Sequence, residues 1–171
     1  SDANETASAW AYALEQQEGP VALVLSRQNL PVLEATARNK DAVAKGGYVL
    51  ADTDGQPDVI LIATGSEVSL ALGAKEELGK EGVKARVVAM PSRELFDRQP
   101  EDYKQSVLPD SVAKRLVIEA GISLGWERCA GPNGKVLSIE TFGASGPGGA
   151  VMKHFGFSVE NVVRLVRELL Q

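Results

Sequence analysis

Apolar positions along the chain follow a helical period in some stretches and a strand period in others. After Asp2, with Glu5 at capping-box spacing, Ala3, Ala7, Trp10, Ala11 and Leu14 recur on one helical face. This predicts a helix to about Gln17, closed by Gly19-Pro20. Residues 21–25 are continuously apolar and of strand length, followed by Ser26-Arg27-Gln28-Asn29. The pattern then fades into small and charged residues up to Gly47.

From Tyr48 onward a second, larger pattern begins. Residues 48–51 and 58–63 flank Asp54-Gly55, a hairpin signal because glycine accepts a positive φ. Strand 58–63 leads through Thr64-Gly65-Ser66 into a helix to about Glu81, then strand 84–90, a βαβ unit. Short helical pieces near 94–98 and 101–106 precede strands at 115–119 and 135–139. A glycine-rich loop at 143–149 opens a helix that stops at Gly156. Ser158 caps a last helix, whose apolar face is Val159, Val162, Val163, Val166, Leu169 and Leu170. Glu160/Arg164 and Arg164/Glu168 lie four apart on its outer face.

These alternations predict a three-layer α/β/α fold, mainly parallel with one antiparallel hairpin strand. The expected organisation is a short unit at 1–35 that ends another domain, a linker at 36–47, and a full domain at 48–171. The opening Ser1-Asp2-Ala3, without an initiator Met, adds the expectation of a piece from a longer chain. Helix and strand in 1–35 are both apolar enough to require packing on something beyond that unit.

At 171 residues, 44% hydrophobic and 24% charged, the chain can build a real core. A net charge of −5 argues against nucleic acid or an anionic membrane surface as partner. No apolar run approaches the ~20 residues of a membrane span, and there is no basic-then-apolar leader. The single cysteine, Cys129, rules out an intrachain disulfide and a thiolate metal cluster, and fits a cytoplasmic compartment.

Candidate chemistry is sparse. Thr64-Gly65-Ser66-Glu67 lies at a strand-to-helix turn, where backbone N–H groups can hold an anion; a plain turn with a Ser66 cap is the favoured reading. Dinucleotide glycine spacing is missing there, which argues against NAD. Loop 143–149 lacks the Gly-Lys-Ser/Thr ending of a phosphate loop and reads as a flexible connection or a packing surface. His154, the sole histidine, sits near a helix C-terminus, where it can meet the last carbonyls. Arg27 stands where a buried strand runs out, the end at which α/β sheets bind ligands, and its planar fork suits phosphate oxygens. A surface salt bridge is the alternative reading of Arg27.

The run Leu25-Ser26-Arg27-Gln28-Asn29-Leu30-Pro31 resembles the segment that closes the pyrimidine-binding domain of transketolases. Further stretches match that family in order: Asp2-Ala3-Asn4-Glu5-Thr6, Lys45-Gly46-Gly47-Tyr48, Ile62-Ala63-Thr64-Gly65-Ser66-Glu67-Val68 and Met90-Pro91-Ser92. Glu94-Leu95-Phe96, Ser106-Val107-Leu108-Pro109, Glu119-Ala120-Gly121, Gly125-Trp126, Thr141-Phe142-Gly143-Ala144-Ser145 and Phe155-Gly156-Phe157 continue it. Gly146-Pro147-Gly148-Gly149 departs from the family, which often carries alanines beside the proline.

The resemblance implies a parent enzyme that transfers a two-carbon ketol unit from a ketose phosphate to an aldose phosphate, in the pentose phosphate pathway. It implies thiamine diphosphate and magnesium, held by N-terminal and middle domains outside this chain, and a homodimer. By the same resemblance Arg27 matches the arginine that grips substrate phosphate, and residues 48–171 match a C-terminal domain with no catalytic residue and no metal. Two other roles stay open: a binding module for a small anionic effector, at Thr64–Glu67 or 143–149, and a pure interaction domain. The β chains of 2-oxo-acid dehydrogenases share the domain class but lack the Ser-Arg-Gln-Asn run.

Overall fold

Five strands, β1 (Tyr48–Ala51), β2 (Val59–Ala63), β3 (Ala85–Ala89), β4 (Arg115–Ile118) and β5 (Lys135–Leu137), form one sheet in the order β1-β3-β2-β4-β5. The computed structural model describes residues 1–171, the side chain of Lys40 excepted. Pairing is parallel except between β1 and β3, which run antiparallel. The expected mainly parallel α/β fold is therefore present.

Strand β2 is buried at every position and sits at the centre. Alternate side chains point to opposite faces. Val59, Leu61 and Ala63 join a core under α3 (Glu67–Lys80) and α8 (Val159–Leu170). Ile60 and Ile62 face the other way. They pack with Phe96 of α4 (Arg93–Asp97), Val107 of α5 (Glu101–Val107) and Cys129 of α6 (Glu127–Ala130). A helix layer thus covers each face. On α8, Val162, Val163, Val166 and Leu169 are buried while Arg164, Arg167 and Glu168 are exposed, as its period required. Ser158 caps it by accepting from the Asn161 N–H. No helix among the described residues is long and apolar enough to cross a membrane.

Two expectations fail. The first is the hairpin. Gly55 does turn the chain, at φ +75, but β1 and β2 are not neighbours. Parallel strands joined by crossover helices, buried on both faces, form the centre of the sheet. Strands β3 and β4 take both edges of β2, so β1 is left the outer edge of β3.

The second is the strand at 21–25, which is extended chain without pairing. A strand exists only through a neighbour; among the described residues none pairs with this segment, and Val24 is 96% exposed.

Residues ahead of β1 are nonetheless docked. Helix α1 (Ala3–Glu15), a short α2 (Glu34–Ala37) and a 3-10 turn (Lys40–Lys45) precede β1, and α1 packs on the 3-10 turn. Asp2 caps α1 as its sequence suggested, accepting from the Glu5 N–H. Between α2 and β1 the sequence pattern had shown no helix. Bonds that tie Asp2 and Asn4 to Leu33 and Thr36 hold α2 in place ahead of it, and no local periodicity reveals them.

Candidate functional site

Helix α3 follows β2 on one face of the sheet, whereas α6 follows β4 on the other. The loops leaving β2 and β4 therefore diverge, and a crevice opens between them at the carboxyl ends of the strands, the usual ligand position in such sheets. A groove of about 540 Å³ lies there. Its walls are the Thr64–Glu67 turn, residues 90–94, residues 119–126, and Val24, Leu25 and Ser26 of the extended segment.

The turn is tight because Gly65 adopts φ +54. A Cβ on Gly65 would lie 3.4 Å from Ser26 Oγ, so the extended segment rests against the turn. Ser66 does not cap α3; its hydroxyl donates to the Glu67 carboxylate instead. Glu67 is 4% exposed. Burial pushes its carboxyl above the usual carboxylate range, against hydrogen bonds from Ser66 and the Ala120 backbone. The α3 N-terminus thus already has a carboxylate of this chain in its first turn.

Glu119, at the end of β4, is also pushed up, first by burial and then by the charge of Glu67, with Arg93 opposing. Arg93 lies over the Trp126 ring at 4.6 Å and donates to the Leu124 carbonyl at 3.2 Å. That position depends on Gly125 (φ +84), where a Cβ would come within 2.4 Å of Arg93 Nη1. Glu119, Arg93 and Trp126 were not singled out from sequence for any role. Glu119-Ala120-Gly121 and Gly125-Trp126 stood out only as family matches, since a charge on a short helix gives no local sign of its partner.

Arg27 directly follows Ser26 and is exposed; among the described residues it makes no hydrogen bond or ion pair. The fold brings its segment to the Thr64–Ser66 turn, two candidates the sequence had kept apart. Loop 143–149 is exposed throughout and leads into α7 (Gly148–His154). His154 ends α7 edge-on to Phe155, with ring centroids 5.0 Å apart, away from the groove lining. Cys129 is buried in the α6 face, where burial pushes its thiol up. Among the described residues no three His, Cys, Asp or Glu side chains gather to hold a metal ion.

Residues 46–158 match the family model for the transketolase-like TK C-terminal domain. The chain is 53% identical, over all of its length, to the transketolase of Halalkalibacterium halodurans. The chain belongs to the transketolase family. It spans about a quarter of that relative, 26% of its length. Among solved transketolases, the enzyme from Leishmania mexicana superposes with a TM-score of 0.92 at 42% identity, over 99% of this chain and 24% of that one. A Pichia stipitis transketolase solved in complex with sedoheptulose-7-phosphate superposes with a TM-score of 0.91 at 39% identity, over 99% and 24%. The groove at the β2/β4 switch point and the Arg27 segment above it are thus features of a transketolase C-terminal piece.

Proposed function

We propose that this chain is the C-terminal quarter of a transketolase that moves a two-carbon ketol unit between sugar phosphates, and that its own share is to grip substrate phosphate through Arg27. The observation that carries the reading is Arg27 itself: an exposed guanidinium with no partner among the described residues, inside the Ser-Arg-Gln-Asn run, on a segment laid across the carboxyl end of the sheet. A free planar fork of donors fits a phosphate bidentately. The Pichia relative, solved with a seven-carbon sugar phosphate, supports that substrate class.

On this reading residues 1–35 end a middle domain, 36–47 link, and 48–171 form the C-terminal domain. Thiamine diphosphate and magnesium would be held by the other domains of the parent, since among the described residues no three His, Cys, Asp or Glu side chains gather to hold a metal ion. The parent is a cytoplasmic homodimer in the pentose phosphate pathway, and 48–171 supports that dimer. An anionic effector at Thr64–Ser66 is the weaker alternative, since the Ser66 hydroxyl at that turn is already bonded to Glu67.

The test is steady-state kinetics of the full-length enzyme on matched phosphorylated and unphosphorylated substrates. Charge-assisted hydrogen bonds contribute ~1.5–3 kcal/mol each, or ~10- to 150-fold in kcat/KM. Arg27→Ala should lose that factor on phosphorylated substrates alone, mostly as raised KM, because the phosphate is unchanged during reaction. Arg27→Lys should recover part. Equal losses on both substrates would instead assign Arg27 to holding the fold.

A further inference from the structure

The segment carrying Arg27 meets the turn between β2 and α3 at one residue. A Cβ built on Gly65 would lie 3.4 Å from Ser26 Oγ, and, chain neighbours aside, no other atom among the described residues comes within 4 Å of it. Val24, Leu25 and Ser26 share their groove with Thr64–Glu67 and with residues 90–94. Ser26 is joined directly to Arg27, whose Cα is therefore only ~3.8 Å from its own.

The turn on the far side of this contact is firmly held. It leaves β2, buried at every position, and enters α3. The Glu67 N–H donates to the Thr64 carbonyl at 3.2 Å, and the Val68 N–H to the Gly65 carbonyl at 3.3 Å. Val68 is fully buried, which shields the second of these bonds from water. Glu67, also buried, accepts from the Ser66 hydroxyl and from the Ala120 backbone, so the turn is tied to the chain leaving β4. The sheet itself thus sets where Gly65 stands, at a φ of +54 that glycine adopts readily.

We propose that Gly65 is a positioning residue: the Thr64–Glu67 turn is a seat for the segment, and the bare backbone at residue 65 sets how closely Arg27 approaches the sheet. The inference rests on the phosphate reading of Arg27 and deepens it, because it gives residues 48–171 a part in holding the sugar phosphate. The seat acts alongside any pairing of residues 21–25 in the parent. A guanidinium reaches phosphate oxygens at ~2.7–2.9 Å in a fixed fork, so a displacement of ~1 Å at Ser26 is enough to spoil the fit. A side chain of more than one carbon at residue 65 would cause such a displacement, since its first atom already stands at contact distance.

Two measurements on the full-length enzyme test the seat. In Ser26→Cys/Gly65→Cys the Cβ atoms stand near the ~3.5–4.5 Å separation that a disulfide spans. Mild oxidation should link them, and the linked enzyme should keep the KM for phosphorylated substrate that the same protein has when reduced. Failure to link, or a KM that rises on linking, overturns the proposal.

Gly65→Ala and Gly65→Leu share the strain of a positive φ and differ in bulk. KM for phosphorylated substrate should be about tenfold higher in Gly65→Leu than in Gly65→Ala, the loss of one charge-assisted bond. On unphosphorylated substrate the two variants should agree, and in an Arg27→Ala background their difference should vanish. Equal KM in the two variants, or a lower kcat in Gly65→Leu on both substrates, overturns the seat. If Arg27→Ala itself shows no substrate difference, the phosphate reading falls, and the disulfide still decides whether the segment rests on Gly65.

Discussion

Arg86 on β3 holds Asp52, just past the end of β1, through two parallel bonds of 2.9 Å, Nε to Oδ1 and Nη2 to Oδ2. The same guanidinium donates through Nη1 to the carbonyls of Ser106 and Val107 at 2.9 and 3.2 Å, so one side chain fastens the edge strand to the end of α5. The Arg86 side chain is 13% exposed and that of Asp52 46%, so the pair is partly screened.

Arg86→Lys should cost about 2 kcal/mol by urea unfolding, because an ammonium cannot make four bonds in one plane. Asp52→Asn should cost about 1 kcal/mol or less at neutral pH, given its exposure. Burial would raise the Asp52 pKa, but Arg86 and the Thr53 N–H hold it low. A lowered carboxyl stabilises above its unfolded pKa and loses that contribution as pH falls through the folded value. The difference between wild type and Asp52→Asn should accordingly shrink to nothing in acid. A difference constant with pH would contradict the ion pair.

Glu67 predicts the opposite slope. Its folded-state pKa is raised, first by burial. The folded chain therefore keeps a proton that the unfolded chain gives up, and stability falls as pH rises from the unfolded carboxylate value toward the folded one. Glu67→Gln should match wild type near pH 4 and be the more stable protein at pH 7, each tenfold difference in proton affinity being worth ~1.4 kcal/mol. Glutamine can still accept from Ser66 and Ala120. Thermal melts across that range check it, and a Glu67→Gln protein less stable at pH 7 would show the ionised carboxylate to be native.

A chain beginning near residue 40 should still unfold cooperatively, because both core clusters lie almost wholly beyond that point. It loses the acceptor of Tyr48, whose phenol is now held well above its ordinary pKa by burial and by Glu5. The expected loss is ~1–3 kcal/mol, that of one buried hydrogen bond, and alkaline titration of Tyr48 should move down toward the ordinary tyrosine range. Loss of cooperativity would make residues 1–35 integral to this core.

Calorimetry of this chain with thiamine diphosphate and magnesium should give no binding heat at micromolar cofactor. Micromolar affinity would overturn the proposed division of the parent.

Elements held by their own period were legible in the sequence. The valines and leucines of α8, the unbroken apolar run of β2 and the glycine stops at Gly82 and Gly156 needed no tertiary knowledge. Pairing was not legible. Asp54-Gly55 signals a turn whatever lies beyond it, and only the occupation of both β2 edges by β3 and β4 keeps that turn from closing a hairpin. Residues 21–25 have the composition of a strand, but composition does not supply a neighbour. The candidate groove was half visible, through Thr64-Gly65-Ser66 and Arg27. Arg93 and Glu119 were hidden because their roles come from a ring, a carbonyl and another carboxylate far away in sequence. The bonds that tie Asp2 to Leu33 and Thr36, and Glu5 to Tyr48, were hidden for the same reason, apart from the capping-box spacing of Asp2 and Glu5.

The outer placement of β1 also orders events in time. Tyr48–Ala51 leaves the ribosome before its partner Ala85–Ala89 exists, and it can find its place only after β2, α3 and β3 have assembled. The nucleus expected from this order is the central parallel unit, with the edge strand a late arrival. Substitutions in β1 should quicken unfolding while hardly slowing folding, with φ below about 0.3, whereas those in β2 should slow folding. On that order the strand that carries Tyr48 would be the last to lock and the first to let go. A brief detachment of this edge would release Tyr48 from Glu5 without melting the domain beneath it.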